Sequence, residues 1–130
     1  MEPHSDSFES EAVKRTVMDI IEHGSVYDVE KLDELYADNM QIIRIGKDGK
    51  TSVVSKKDVL SFFNSKRAKN DEPLSKEAHF NYVDATNGKG HVIVTRVMKL
   101  FGSPQKSIYN ICLAKHNDRW RIVKETVISV

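Results

Sequence analysis

Asn87-Gly88-Lys89-Gly90, Gly102-Ser103-Pro104-Gln105 and His116-Asn117-Asp118-Arg119 punctuate the last stretch of the chain, from Ala78 to Val130. Each holds residues that tolerate positive φ or preset a turn. Before, between and after them run Ala78–Thr86, His91–Phe101, Lys106–Lys115 and Trp120–Ser129, rich in β-branched and aromatic residues. These segments read as long antiparallel strands in a meander. Strands of roughly ten residues exceed the usual five or six. Long strands twist strongly, so a sheet built from them curls.

Upstream of these strands the chain reads mostly as helix. Phe8, Ala12, Val13, Val17, Ile20 and Ile21 recur at spacings of three and four, which predicts a helix from Ser7 to Glu22 with Gly24 as its stop. Asp28 is placed to cap a second helix running to Ala37, with Leu32, Leu35 and Tyr36 on its apolar side and Asp38-Asn39 breaking it. Met40 to Ile45 reads as a strand, and Lys47-Asp48-Gly49-Lys50 turns the chain back into Thr51–Val54. Ser55-x-x-Asp58 resembles a capping box at the start of a third helix, whose apolar side is Val59, Leu60, Phe62 and Phe63. Ser65 to Lys76, mixed in charge and holding Pro73, reads as an exposed loop. The whole predicts an α+β protein. A curved antiparallel sheet wraps over three N-terminal helices, with a cavity between. Residues 1–7 are expected to form a disordered tail and 8–130 a single domain.

Composition narrows the function classes. The chain has 130 residues, 39% hydrophobic and 30% charged, which fits one domain with one core. A formal net charge of +1 argues against nucleic acid or an anionic membrane as the main partner. Cys112 is the single cysteine, so no intrachain disulfide forms and a reducing compartment is the simpler reading. The first residues lack a basic start and an apolar run, and no window reaches the length of a membrane span. These features predict a cytoplasmic protein. The five histidines are scattered and no metal-ligand cluster is visible, so neither metal nor cofactor is expected.

At this point two strings carry a resemblance. Leu35-Tyr36-Ala37-Asp38-Asn39-Met40 resembles the end of the second helix in the nuclear-transport-factor-2-like superfamily. Asn117-Asp118-Arg119-Trp120-Arg121-Ile122-Val123 resembles that superfamily's final hairpin. Among its branches, Tyr109 to Leu113, Ile122 to Lys124 and Arg44 to Lys50 are most similar to the lumazine-binding-like, SnoaL-like group. The resemblance spans Val13 to Val127 and implies a cone-shaped cavity and a homodimer joined through the sheet.

It also permits a comparison with enzymatic members. Ketosteroid isomerase uses a general-base aspartate on the first strand, a tyrosine on the first helix and a protonated aspartic acid on the third long strand. Matching on Tyr36-Ala37-Asp38 puts Arg44 at the base position, Thr16 or Val17 at the helix position, and Asn110 or Ile111 at the strand position. An arginine stays protonated and cannot accept a proton. That chemistry is rejected, and no catalytic residue is assigned.

The candidate ligand-binding residues are Tyr27, Tyr36, Arg44, His79, Arg96, Tyr109, Asn110, Trp120 and Lys124. Arg44 shares a strand face with Met40 and Ile42, and its fork suits a carboxylate or phosphate; the alternative is a rim arginine paired to an acid. Arg96 stands in a row of Val92, Val94 and Met98, facing either the ligand or the outside of the sheet. Alternation puts Trp120, Ile122, Lys124 and Thr126 on one face, with Trp120 as core packing and Lys124 as a cation for an acidic ligand or a surface side chain. Tyr109 and Asn110 point to opposite faces. Tyr27 and Tyr36 flank the second helix and either line a pocket entrance or pack. His79 is the histidine lying well inside an element.

The first expectation is thus a small-molecule-binding protein whose ligand is acidic or heteroaromatic. A SnoaL-like cyclase, isomerase or dehydratase is the alternative, with His79 and Asp84 as its candidate acid–base groups. A third is a dimeric interaction module whose cavity is filled by side chains.

Overall fold

The structure, a computed structural model, describes residues 7–130. The tail expected over 1–7 lies outside them, except that Ser7 opens the first helix. The elements run α1 (Ser7–Ser25), α2 (Val29–Leu35), β1 (Tyr36–Ile45), β2 (Thr51–Ser55), α3 (Lys56–Ala68), β3 (Ala78–Thr86), β4 (Lys89–Met98), β5 (Gln105–His116) and β6 (Arg119–Ser129).

The meander forms as the turns require. Asn87 and Gly88 adopt φ of 54° and 74°, and Asn117 and Asp118 adopt 52° and 61°, the paired left-handed residues of a tight hairpin turn. β4 ends at Met98 rather than Phe101, because Gly102, at φ 99°, and Pro104 belong to a longer connection. The six strands make one sheet in the order β2-β1-β6-β5-β4-β3. The sheet is mixed rather than purely antiparallel, since β1 returns along the far edge of the meander and pairs parallel with β6.

Helix boundaries shift for physical reasons. α1 runs through Gly24 to Ser25, whose hydroxyl donates to the Glu22 carbonyl at 2.8 Å. α2 stops at Leu35, earlier than its sequence predicts, because Tyr36 enters β1 and pairs with Ile122. Asp38 and Asn39 fall in an irregular stretch of that strand, between Tyr36 and Gln41. Asp28 caps α2 and Ser55 caps α3, each accepting from the backbone amide three residues on. α3 continues to Ala68, so the loop begins at Lys69.

The helices lie over one face of the sheet and bury Val13, Val17, Leu32, Val92 and Ile122 completely. Gly90 on β4 sets how closely α1 approaches. A Cβ there would stand 2.7 Å from Val13 Cγ2, inside contact distance. Towards the other end the layers separate, and a pocket opens between them.

Candidate functional site

The inner face of the sheet is a set of cross-strand rows. Ile42, Glu125, Ile111 and Val92 stand side by side across β1, β6, β5 and β4. Two residues along, Arg44, Val127, Tyr109, Val94 and Phe80 form the next row. Arg96 and Ser107 stand beyond it. With Tyr36, which stands beside Ile122, one carboxyl, two guanidinium groups and two phenols therefore share a concave surface that is otherwise mostly apolar.

α1, α3 and the loop before β3 cover that surface and leave a pocket of about 330 Å³. Val17, Ile21 and Gly24 form its helical wall, and Phe62, Phe63 and Leu74 close it on the other side. A Cβ at Gly24 would stand 3.4 Å from the Phe63 ring, an ordinary contact distance. Arg44 and Phe101 stand at the open end, with the guanidinium carbon 5.3 Å from the ring centroid. A second, more open groove shares Leu74 and Met98 with the pocket and runs outward past Tyr27 and the loop before β3.

Glu125 is the central chemical feature. The residue is 3% exposed, lines the pocket, and has no hydrogen-bond or ion-pair partner among the described residues. Burial pushes its carboxyl up to about 7, against the opposing pull of Arg44 and Arg96. Burial also pushes the Tyr109 phenol up to about 12, with the neighbouring Glu125 adding to the effect, and holds Tyr36 well above its ordinary value. Both phenols are therefore neutral donors at physiological pH.

Arg96 is buried and is also a tether. Its Nη2 donates to the Ser75 carbonyl at 2.6 Å and its Nε to the Glu77 carbonyl at 3.3 Å. Desolvation lowers its pKa. The loop it holds is fixed at two further points. The Leu74 amide donates to the Ser25 carbonyl at 2.8 Å, and the Tyr27 hydroxyl donates to the Glu72 carbonyl at 2.6 Å. This loop is the lip that seats Leu74 over the pocket.

Of the nine candidates read from sequence, Tyr36, Arg44, Arg96 and Tyr109 line the pocket. Tyr27 lines the adjoining groove. Trp120 packs against the hydrophobic core outside the pocket lining. His79 is exposed. Asn110 lies on the outer face, where its Oδ1 meets His91 Nε2. Lys124 is exposed on the same outer face. Of the two acid–base candidates, Asp84 pairs with His91 in the outer row and His79 stands at the far edge, so neither reaches the pocket.

Glu125 is the residue that sequence reasoning missed, and a β-bulge explains why. On β5 Cys112 faces Lys124, while the next residue, Leu113, faces Ile122, so Val123 is the extra residue. Strict alternation from Ile122 sends Lys124 inward and Glu125 outward. The bulge reverses both, and Ile122, Glu125 and Val127 become the buried positions. The available signal was the pattern itself. Val127 and Ile122 both need burial, and they stand an odd number of residues apart.

Neither a protein-family model nor a curated protein matches the sequence. Solved structures do match in shape. An NTF2-like protein of unknown function from Silicibacter pomeroyi superposes with a TM-score of 0.78 at 12% identity, covering 95% of this chain and 98% of that one. A protein of unknown function with a cystatin-like fold from Nostoc punctiforme gives 0.71 at 8% identity, covering 98% and 95%. A dehydratase candidate of the NTF2-like family from Streptomyces avermitilis gives 0.71 at 16% identity, covering 95% and 97%. At these identities the likeness concerns the fold, which is NTF2-like and cystatin-like α+β.

Proposed function

From an NTF2-like fold with an apolar pocket on its concave face, we propose that the protein binds a small, mostly apolar molecule there. The ligand carries an acidic or heteroaromatic group that meets Arg44, Arg96 and Tyr109. The observation that carries this reading is the convergence of those side chains with Glu125 inside a space of about 330 Å³. Small-molecule sites have this character, an apolar chamber of at least about 300 Å³ with a few placed polar groups. A thermal-shift screen of small aromatic acids and flavin precursors tests it. A ligand at one hundred times its Kd should stabilise the fold by about 2.7 kcal/mol. If no member of the panel raises the melting temperature, the binding reading fails, and with it the lumazine-type ligand.

One observation favours a second reading, an acid–base enzyme of SnoaL-like type. The Glu125 carboxyl, near neutrality and facing the pocket, suits a group that takes a proton from a substrate and returns it. The dehydratase candidate from Streptomyces avermitilis shares the fold and lends this reading its reaction class. Turnover abolished in Glu125→Gln, with ligand affinity retained, would separate catalysis from binding.

A homodimer through the outer face of the sheet is part of the proposal. Tyr82 and Val97, 44% and 36% exposed, flank half-buried Ile93 and Ile108 on that face and offer it an apolar patch. Sedimentation velocity reads this directly, and a monomer at tens of micromolar would remove it. A cytoplasmic setting suits the exposed free Cys112, and among the described residues no helix is long and apolar enough to cross a membrane.

A further inference from the structure

We propose that the pocket takes its ligand as a small apolar monocarboxylate gripped by Arg44, and that Glu125 takes up a proton as the ligand enters. This rests on the binding reading above and names the charge class of its ligand.

The first support is Arg44. Its guanidinium lines the open end of the pocket, lies over the Phe101 ring, and has no acidic partner within ion-pair distance among the described residues. Two of the Arg96 nitrogens, by contrast, already donate to the Ser75 and Glu77 carbonyls. The fork that remains open is that of Arg44, and its planar pair of N–H donors matches a carboxylate. The walls around it are Ile42, Val54, Phe62 and Phe101, which suit a hydrocarbon or aromatic body.

The second support is Glu125, which is buried, faces the same space and accepts no hydrogen bond among the described residues. The pocket around it takes its other ionisable groups from four elements, and α2 and β2 bring none. β1 brings Tyr36 and Arg44, β4 brings Arg96, β5 brings Tyr109, and α3 brings Asp58 at the exposed rim. α1 lines the pocket with no ionisable side chain, and the loop before β3 adds Leu74. Two carboxylates in one chamber of low dielectric cannot both stay ionised without cost. The ligand's carboxylate has Arg44, whereas Glu125 accepts no hydrogen bond among the described residues, so Glu125 takes the proton. As a neutral acid it then becomes an O–H donor facing the ligand.

The sign follows. With its carboxyl near 7, Glu125 is about half protonated in the empty pocket at neutral pH. The bound anion raises that value, so about half a proton is taken up at pH 7 and close to one at pH 8. Affinity falls as pH rises above 7, by up to tenfold per unit. Below about pH 6 Glu125 is already protonated, and the dependence on this group ends.

Isothermal titration of phenylacetate, octanoate and 4-biphenylcarboxylate, each beside its neutral amide, tests this. Titrations at pH 8 in HEPES and in Tris, which differ in ionisation enthalpy, give the number of protons taken up. The expected results are binding of at least one acid in preference to its amide, uptake approaching one proton, and loss of that uptake with a flat pH profile in Glu125→Gln. Arg44→Gln should remove the preference for the acid and spare the amide. Wild-type binding without proton uptake overturns the proposal and leaves the binding reading intact, as do amides that bind as tightly as acids. If neither acids nor amides bind, both readings fall. The two-buffer measurement needs only the wild-type protein, so a variant that misfolds leaves the test standing.

Discussion

Lys124 and Glu125 are neighbours in the chain and lie on opposite faces of β6. Lys124 joins an outer row with Cys112, His91 and Asp84, where charges meet water and polar neighbours. Glu125 joins an inner row with Ile42, Ile111 and Val92, where it meets none. The two rows use the same strands and the same pleat. What separates them is the layer of helices above one face, which removes water from it. A carboxyl on the inner side is held near 7 by that removal alone, and two arginines in the pocket do not reverse it. The lesson is that chemical character in this fold comes from burial, and that burial is assigned by a single bulge.

The comparison breaks most sharply if the faces contribute equally to stability. Ile122 is fully buried on the inner face, and Ile93 is half-buried on the outer. Ile122→Ala should cost about 2–5 kcal/mol in urea unfolding, through lost transfer free energy and a residual cavity. Ile93→Ala should cost less than about 1.5 kcal/mol in the monomer. A cost at Ile93 that matches Ile122 and grows with protein concentration would show the outer face to be covered by a second copy.

The buried acid supplies the next test. Its folded-state value, about 7, lies above the ordinary carboxylate value, so the folded protein prefers the protonated form. The contribution to stability is fully present below the unfolded value, near 4.3, and is lost as pH rises through the folded value. A difference of between two and three units corresponds to about 3 kcal/mol. Glu125→Gln should therefore raise stability by about 3 kcal/mol at pH 8.5 and have little effect at pH 4. Equal effects at the two pH values would mean that the carboxyl is hydrated, and the contrast between the faces would then lose its basis.

How much of this was legible in the sequence follows from the same contrast. The fold was, because turn chemistry is local. Asn87-Gly88 and Asn117-Asp118 specify their hairpins through the left-handed backbone they tolerate, and the strands between them could be bounded to within a few residues. Tyr36, read on the second helix, opens β1 instead, and alternation leaves open which face of the sheet is the inner one, but the placing of Arg44, Arg96 and Tyr109 relative to their strand neighbours follows from it. Placement of Lys124 and Glu125 does not, because the bulge at Val123 depends on how β6 fits between β5 and β1, a property of partners distant in sequence. Asking which residue could replace the isomerase's first-strand base also pointed away from β6, since the one buried carboxyl among the described residues stands on a different strand. The parallel pairing of β1 with β6 was equally hidden, because no turn connects the two strands.

The smallest effect belongs to the outer row, and it sharpens the contrast from the other side. His91 and Asn110 are joined by a hydrogen bond on the water-facing surface, and Tyr82 packs edge-on against the His91 ring at 5.5 Å. A partly exposed hydrogen bond contributes about 0.5–1.5 kcal/mol, because water replaces either partner. Asn110→Ala should therefore cost no more than about 1 kcal/mol in urea unfolding, and should leave carboxylate affinity in the pocket unchanged. On the inner face the proposed binding mode predicts the opposite for Arg44→Gln, which takes away a pocket guanidinium that makes no hydrogen bond or ion pair among the described residues. A large loss of ligand binding in Asn110→Ala would mean that the two faces communicate through β5. The helices would then cease to be the sole reason that a charge on one side of the sheet differs from a charge on the other.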